Sequence, residues 1–177
     1  MSERIYKEYM DLSNNPMNIC GITVGCKDDS YYNLRFTLMP PKDTPYRGGL
    51  FLLNAHFPSD YPNSPPEVNF ETPIYHMNVN PYAPKEREGE SLGHVRISIL
   101  NCWKPQYNIK EVLLNICSLF YMVNLNRAYG KEIVKEYEEE PEIYFDKAKN
   151  FTKKYADCRK FNRKIDENKD WDFIINK

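Results

Sequence analysis

The chain has 177 residues, and its 24 Lys and Arg residues nearly balance 25 Asp and Glu residues, which gives a formal net charge of -1. This length suits one domain, or one domain with a short tail. The near-neutral charge gives no support for binding to nucleic acid or to an anionic membrane, and no apolar run approaches the roughly 20 residues that a membrane-spanning helix needs.

The cysteines and histidines favour a reducing compartment and no metal site. The five cysteines are an odd number and none forms a CxxC motif. The N-terminus, MSERIYKEYM, is polar rather than signal-like. We therefore expect reduced thiols in the cytoplasm or nucleus. Three histidines without paired metal-ligand spacing predict no metal site, and no motif implies a cofactor.

The first half of the chain predicts a helix followed by an antiparallel sheet. SERIYKEYMDL, with Ser2 as a candidate N-cap, is typical of a short amphipathic helix that ends before NNP. Three segments rich in β-branched and aromatic residues follow, each bounded by turn signals, and a shorter one comes after a proline-rich loop. They are NICGITVG, YYNLRFTLMP, GGLFLLNAHF and EVNFE. The short connections between them predict an antiparallel meander.

The second half of the chain has helical periodicity. In NIKEVLLNICSLF the apolar residues recur every three or four positions, so this helix should pack on the apolar face of the meander. YGKEIVKEYEEE and PEIYFDKAKNFTKKYA predict two more helices, the last with Pro141 at its first position. Strands first and helices afterwards indicate an α+β fold.

The last residues differ in composition from the rest. The stretch from Asp157 is highly charged, and Trp171, Phe173, Ile174 and Ile175 lie near its end. We predict a core domain over 1–156 and an appended charged tail over 157–177 that is able to dock those apolar residues.

An ordered series of motifs in the middle of the chain resembles the ubiquitin-conjugating enzymes. The series is PPKDTPYRGGLF (turn between strands two and three), FPSDYPNSPPEVNF (proline-rich loop and fourth strand), YHMN (the His-Pro-Asn motif), GHVRISIL (the catalytic-cysteine segment), and W-K-P followed by the central helix. The order of the predicted elements also matches over roughly 2–156. The resemblance implies that family's fold, and a chemistry in which a cysteine accepts the ubiquitin C-terminus as a thioester and passes it to a lysine.

Arg96 stands where this family keeps its catalytic cysteine. The family's segment reads Gly-x-Val/Ile-Cys-(Leu/Ile)-x-Ile-Leu, and every other position of GHVRISIL fits it without a gap. An arginine stays protonated and cannot form a thioester, whereas the chemistry needs a thiolate. We interpret Arg96 as a solvent-facing loop residue that blocks the chemistry; the alternative is that it pairs with an acidic partner surface.

The resemblance marks further site residues. Asn78 falls on the family's asparagine, which stabilises the oxyanion or holds the active-site loop; without the cysteine we expect the structural role. His76 is expected to be a hydrogen-bonded structural histidine. Met77 replaces the family's proline, which returns a backbone N–H and should loosen the loop. Cys102, after the Ile-x-Ile-Leu turn, is the alternative nucleophile, although we expect a loop thiol without a role.

Two neighbouring segments also depart from the family. Asn126 and Arg127 occupy the approximate places of acids that assist the incoming lysine, and a cation there opposes its approach. The charged insertion over 79–92 is expected to be a solvated surface loop, or else to shield the site or contact a partner.

The resemblance implies partner contacts as well. The family contacts its activating enzyme through the first helix, which carries Arg4 and Lys7 here. It contacts RING-type ligases through positions matched by Asn63, Pro105 and Gln106. The family often has a large apolar residue at the position of Asn63. Because an asparagine buries less apolar area, the contact with a RING-type ligase should be weaker here.

These features predict a conjugating-enzyme-like protein of the ubiquitin or ubiquitin-like modifier pathway, catalytically inactive and acting by binding. Its partner would be ubiquitin or a ubiquitin-like protein, an active conjugating enzyme, an activating enzyme or a RING-type ligase. One alternative is an active transferase that uses Cys102, or in which Arg96 is a substitution of the original cysteine. Another is a scaffold with partners outside this pathway. The family's inactive variants often lack the last two helices, which this chain keeps.

Overall fold

A computed structural model of the chain describes residues 3–27, 31–81 and 91–159. The predicted insertion therefore lies outside the described residues except for its two ends. The predicted tail lies outside them beyond Arg159.

The described residues form one sheet flanked by helices, as the α+β prediction required. An N-terminal helix precedes four strands, and a one-turn helix, a central helix and two C-terminal helices follow. The elements are α1 (Glu3–Asn14), β1 (Thr23–Cys26), β2 (Asn33–Leu38), β3 (Phe51–His56), β4 (Glu67–Phe70), α2 (Ser98–Asn101), α3 (Ile109–Leu119), α4 (Lys131–Glu139) and α5 (Pro141–Tyr155), with 3₁₀ turns at Ile19–Gly21 and Leu125–Arg127.

The sheet is the predicted antiparallel meander, with strand order β1-β2-β3-β4. Its register places Phe36 opposite Leu53 and Leu53 opposite Phe70. All three side chains are buried in one hydrophobic core with the apolar face of α3. Full burial of an aliphatic or aromatic side chain stabilises the fold by about 1.5–3 kcal/mol, so this row anchors the sheet to the central helix.

The central helix begins where the sequence predicts, because its first turn is capped on both sides. The Asn108 side chain accepts from the Glu111 backbone N–H at 3.1 Å, and the Glu111 carboxylate accepts from the Asn108 N–H at 2.9 Å. This reciprocal pair is a capping box, which satisfies two backbone donors that the helix leaves open. Pro141 likewise occupies the first turn of α5.

The prediction that Cys20 lies in a strand is wrong. Residues 19–21 form a 3₁₀ turn, with Cys20 at φ 55° and Gly21 at φ 50°, and the strand begins only at Thr23. This turn brings the buried Cys20 against Cys117 of α3. A hydrogen bond between the two thiols and burial raise the pKa of Cys117, which therefore stays a neutral core thiol, as predicted.

The end of the described chain pairs with the loop between β2 and β3. The Leu50 N–H donates to the Ala156 carbonyl at 2.8 Å, and Asp157 forms an antiparallel bridge with Gly49. Backbone contact with the core thus continues past residue 156. Among the described residues, no helix combines the length and the apolar composition that a membrane span requires.

Candidate functional site

The segment that carries Arg96 is held beside the His76–Asn80 loop by backbone hydrogen bonds. Val79 and Val95 form an antiparallel bridge, and the Arg96 N–H donates to the Asn78 carbonyl at 2.9 Å. Gly93 starts this segment with φ +79° and accepts from the Phe70 N–H at 2.8 Å. The structure therefore brings together Asn78 and Arg96, two of the predicted site residues.

Arg96 is half-buried rather than solvent-facing, which corrects our interpretation. Its guanidinium carbon lies 4.0 Å from the centroid of the Tyr129 ring. Tyr129 is itself buried, and its hydroxyl hydrogen-bonds His94 Nδ1 at 2.8 Å. A cation over an aromatic face is attracted by the ring's quadrupole, by about 0.5–2 kcal/mol depending on solvation. Arg96 is therefore packed into the site as a fixed positive charge.

Asn78 holds a neighbouring loop, as the structural interpretation required. It is fully buried; its Oδ1 accepts from the Asn124 N–H at 2.9 Å and its Nδ2 donates to the Asn124 carbonyl at 2.6 Å. Asn124 precedes the 3₁₀ turn that contains the exposed Asn126 and the half-buried Arg127. The segment predicted to flank the site does flank it, through Asn124 on one side and Tyr129 on the other.

We expect the Asn78→Ala variant to lose about 1–3 kcal/mol of unfolding free energy, because two backbone groups of Asn124 would lose their partners in a part-buried position. Urea denaturation followed by circular dichroism measures this. Asn101→Ala is the control, since that exposed side chain donates a single bond to the Ile97 carbonyl. Equal losses in the two variants would contradict the role assigned to Asn78.

His76 is a structural histidine. It is fully buried; its Nδ1 accepts from the Asn78 N–H at 3.0 Å, and its Nε2 donates to the Leu119 carbonyl at 3.0 Å. Burial lowers the pKa of His76 to about 4. It is therefore neutral at physiological pH and committed to the backbone on both sides, so it is not placed to act as a base.

Met77 is packed and hydrogen-bonded at the place where the family has proline. The side chain is fully buried, and the backbone N–H that proline would lack donates to the Tyr144 hydroxyl at 3.4 Å. The Met77 carbonyl accepts from the Tyr129 N–H at 2.8 Å. The loop is thus tied to α5 and to the segment beneath Arg96.

Cys102 is exposed and lies six residues after Arg96 along the chain. The one-turn helix α2, which the sequence did not predict, lies between it and Arg96. The next residue, Trp103, donates from Nε1 to the Pro62 carbonyl at 2.7 Å and packs against the Tyr61 ring. Cys102 therefore starts the connection to the proline-rich loop, whereas Arg96 pairs with Asn78. Within the described ranges, no cluster of three His, Cys, Asp or Glu side chains could hold a metal ion.

Comparison with known proteins identifies the family. A sequence model described as ubiquitin-conjugating enzyme matches residues 4–152. The chain belongs to the ubiquitin-conjugating enzyme family. It is also similar to a solved structure described as "putative ubiquitin conjugating enzyme from Plasmodium yoelii", with 28% sequence identity and a TM-score of 0.74 over 88% of this chain and 97% of that one.

Glu8 joins three segments of the chain: α1, the proline-rich loop and the start of α3. The Tyr61 hydroxyl donates to both Glu8 carboxylate oxygens, at 2.9 and 2.8 Å, and the Ile109 N–H donates to Oε2 at 2.8 Å. Arg4 Nε also bonds this carboxylate. One side chain of α1 thus fixes the proline-rich loop and the start of α3.

Four of the five predicted partner residues lie at these contacts or next to them in the chain. Arg4 reaches past Glu8 to donate to the Tyr107 carbonyl at 3.1 Å, next to the exposed Pro105 and Gln106. The Trp103–Pro62 bond brings the same loop beside Asn63, which is exposed. Lys7 is also exposed, on α1, in an ion pair with Glu3 at 2.6 Å. We call these five residues, Arg4, Lys7, Asn63, Pro105 and Gln106, the partner surface.

The sequence did not reveal the roles of Glu8 and Tyr129, which organise the site and its surroundings. Glu8 reads as one of several polar residues of an amphipathic helix, and its partners lie 53 and 101 positions away. Tyr129 follows the central helix in a segment where the chain departs from the family motifs. The only local signal for Tyr129 was an aromatic residue next to the expected acid positions.

Proposed function

We propose that this chain acts in the ubiquitin or ubiquitin-like modifier pathway as a conjugating-enzyme-like protein that forms no thioester and works by binding a partner. The observation that carries the proposal is Arg96 at the position of the family's nucleophile. We also propose that it works in a reducing compartment, cytoplasm or nucleus, because its five cysteines are an odd number and none forms a CxxC motif.

The surroundings of Arg96 support a site without thioester chemistry. The family's reaction needs a sulfur that attacks a carbonyl and later leaves, and a guanidinium can do neither. The Asn78 amide is bonded to Asn124, and His76 is neutral and bonded on both ring nitrogens. The cation–π contact with Tyr129 gives Arg96 a packed place of its own.

The partner surface supports the binding half of the proposal. The Glu8 and Trp103 contacts hold three separate segments in one fixed arrangement. Preorganised contacts reduce the entropy lost on binding. This arrangement supports binding through the residues that the family resemblance assigns to activating enzymes and RING-type ligases.

The alternative of an active transferase rests on Cys102, which is exposed, or on Arg96 being a substitution of an original cysteine. Cys102 is accessible to a partner, but it lies outside the GHVRISIL segment, after α2. We therefore favour the binding role. A scaffold with partners outside the pathway is the third possibility.

Binding to pathway proteins tests the proposal. Isothermal titration of the full chain with ubiquitin, its activating enzyme, active conjugating enzymes and RING domains should show saturable binding to at least one of them. Where the partner is a RING domain, Asn63→Leu should tighten binding about tenfold, because the added apolar area at an interface is worth about 1.4 kcal/mol.

Asn150→Leu is the matched control for that titration, since Asn150 is an exposed residue of α5 away from the partner surface. It should leave RING affinity unchanged. An absence of binding across the whole panel would contradict the pathway assignment. An equal effect of the two leucines would contradict the role of Asn63.

A further inference from the structure

A groove on the side formed by the β2–β3 loop, the end of α3 and α5 has no part in the function proposed above. Its volume is 510 Å³. Two aromatic side chains on its wall, Tyr121 and Phe145, are 56% and 42% exposed, although both are large enough to be expected in a core. We call it the basic groove, for the cations described next.

Three cations line the basic groove: Lys42, Arg47 and Lys149. Within the described part of the chain, none of their side chains forms an ion pair. Two acids, Asp43 and Asp146, also line it. Desolvation and the Asp43 carboxylate raise the pKa of Tyr121. The groove therefore combines exposed aromatic rings with an excess of positive charge.

The described chain ends at the rim of this groove. The Cys158 N–H donates to the carbonyl of Gly48, the residue after Arg47, at 3.4 Å, and Asp157 pairs with Gly49. Eighteen residues follow Arg159, from 160 to 177. An extended chain spans about 3.3–3.6 Å per residue, so residues 166–175 can reach any point of the groove from this exit.

The composition of residues 166–175, DENKDWDFII, complements the basic groove. Four acids and one lysine give this segment a net charge of -3, and four large apolar residues are interleaved with or follow the acids: Trp171, Phe173, Ile174 and Ile175. A short tether also gives an effective concentration in the millimolar range.

We propose that residues 166–175 bind in the basic groove of their own chain. Asp170 and Asp172 face Arg47 and Lys149, and the apolar side chains cover Tyr121 and Phe145. This inference does not depend on whether the chain forms a thioester. It assigns the charged tail an intramolecular binding site.

Fluorine NMR of the full chain labelled with 5-fluorotryptophan tests this, because the chain has only two tryptophans, Trp103 and Trp171. Trp171→Phe assigns the two resonances. We expect the Trp171 resonance to be displaced from its position in the urea-unfolded chain, with its H₂O/D₂O isotope shift reduced at least twofold. Raising the salt to about 1 M, where the screening length falls to about 3 Å, should move it towards the unfolded position.

The variant R47E/K149E should return the Trp171 resonance to the unfolded position. K131E/K153E is the matched control, since it makes the same charge change at two exposed lysines that do not line the basic groove. It should leave the resonance displaced. Adding D170K/D172K to R47E/K149E should restore the displacement by swapping the charges. The Trp103 resonance reports in every variant that the domain is folded.

Three results would overturn the proposal. They are a Trp171 resonance already at the unfolded position in the unaltered chain, a displacement that R47E/K149E and K131E/K153E affect equally, and a displacement lost on 100-fold dilution. The last would mean that the segment binds a second copy of the chain.

Discussion

The Gly93→Ala variant should lose at least about 3 kcal/mol more unfolding free energy than an ordinary loop substitution, and little of it should remain folded. A Cβ at this position would lie 2.0 Å from the Phe70 carbonyl oxygen and 3.0 Å from the Phe70 carbonyl carbon. Those atoms are backbone of β4, so no side-chain rotation relieves the contact. The residue also has φ +79°, a conformation that disfavours any side chain.

Gly48→Ala separates the two contributions. Gly48 has φ +74°, yet nothing lies within 4 Å of the added Cβ. It should cost only the conformational strain, about 1–2 kcal/mol. Urea denaturation of both variants gives the difference. Similar losses would show that the close approach of the Arg96 segment to β4 is not a constraint, and would contradict the account of how that segment is positioned.

Acidification should destabilise the protein through His76. Its pKa is lowered from 6.5 to about 4 in the folded chain because it is buried. The unfolded chain therefore takes up a proton on this group at a higher pH than the folded one does. The stability that the neutral histidine contributes is fully present above pH 6.5 and is lost as the pH falls from 6.5 to about 4. The lost amount is about 3 kcal/mol, from about 1.4 kcal/mol for each unit of pKa difference.

The His76→Gln variant isolates this contribution, because every other titrating group is retained. Urea denaturation at intervals from pH 7.5 to 4 should show the variant less stable at pH 7.5, since the bond to the Leu119 carbonyl is disturbed. Its stability should also fall less steeply, so that the difference between the two proteins shrinks by about 3 kcal/mol over the interval. Parallel curves would exclude a buried neutral His76.

The fold could be predicted because its signals are local. The β-branched and aromatic content of the strands, the helical spacing in α3 and the proline that opens α5 each depend on residues within one element. The sequence failed at Cys20 for the complementary reason. Its β-branched neighbours fit a strand, but the positive φ at Cys20 and Gly21 turns the chain before Thr23.

The environment of the candidate site depends on contacts that cross the chain, so the sequence predicted the residues better than their surroundings. The family motif located Arg96, but its packing on Tyr129 joins positions 33 apart. The structural role of Asn78 was predicted from a chemical argument. Its partner could not be predicted, because Asn78 bonds the backbone of Asn124 and not its side chain. The short helix α2 is too brief for periodicity to reveal it.

The central claim is that Arg96 leaves the chain unable to form a thioester, and a charging assay tests it most directly. The full chain, Cys102→Ser and Arg96→Cys are each incubated with ubiquitin, its activating enzyme and ATP, then compared on non-reducing and reducing gels. We predict no reductant-sensitive adduct for the unaltered chain or for Cys102→Ser. An adduct with Arg96→Cys alone would show that the fold can still support a thioester and that Arg96 is what prevents it. A reductant-sensitive adduct on the unaltered chain that disappears in Cys102→Ser would contradict the account and make Cys102 the nucleophile.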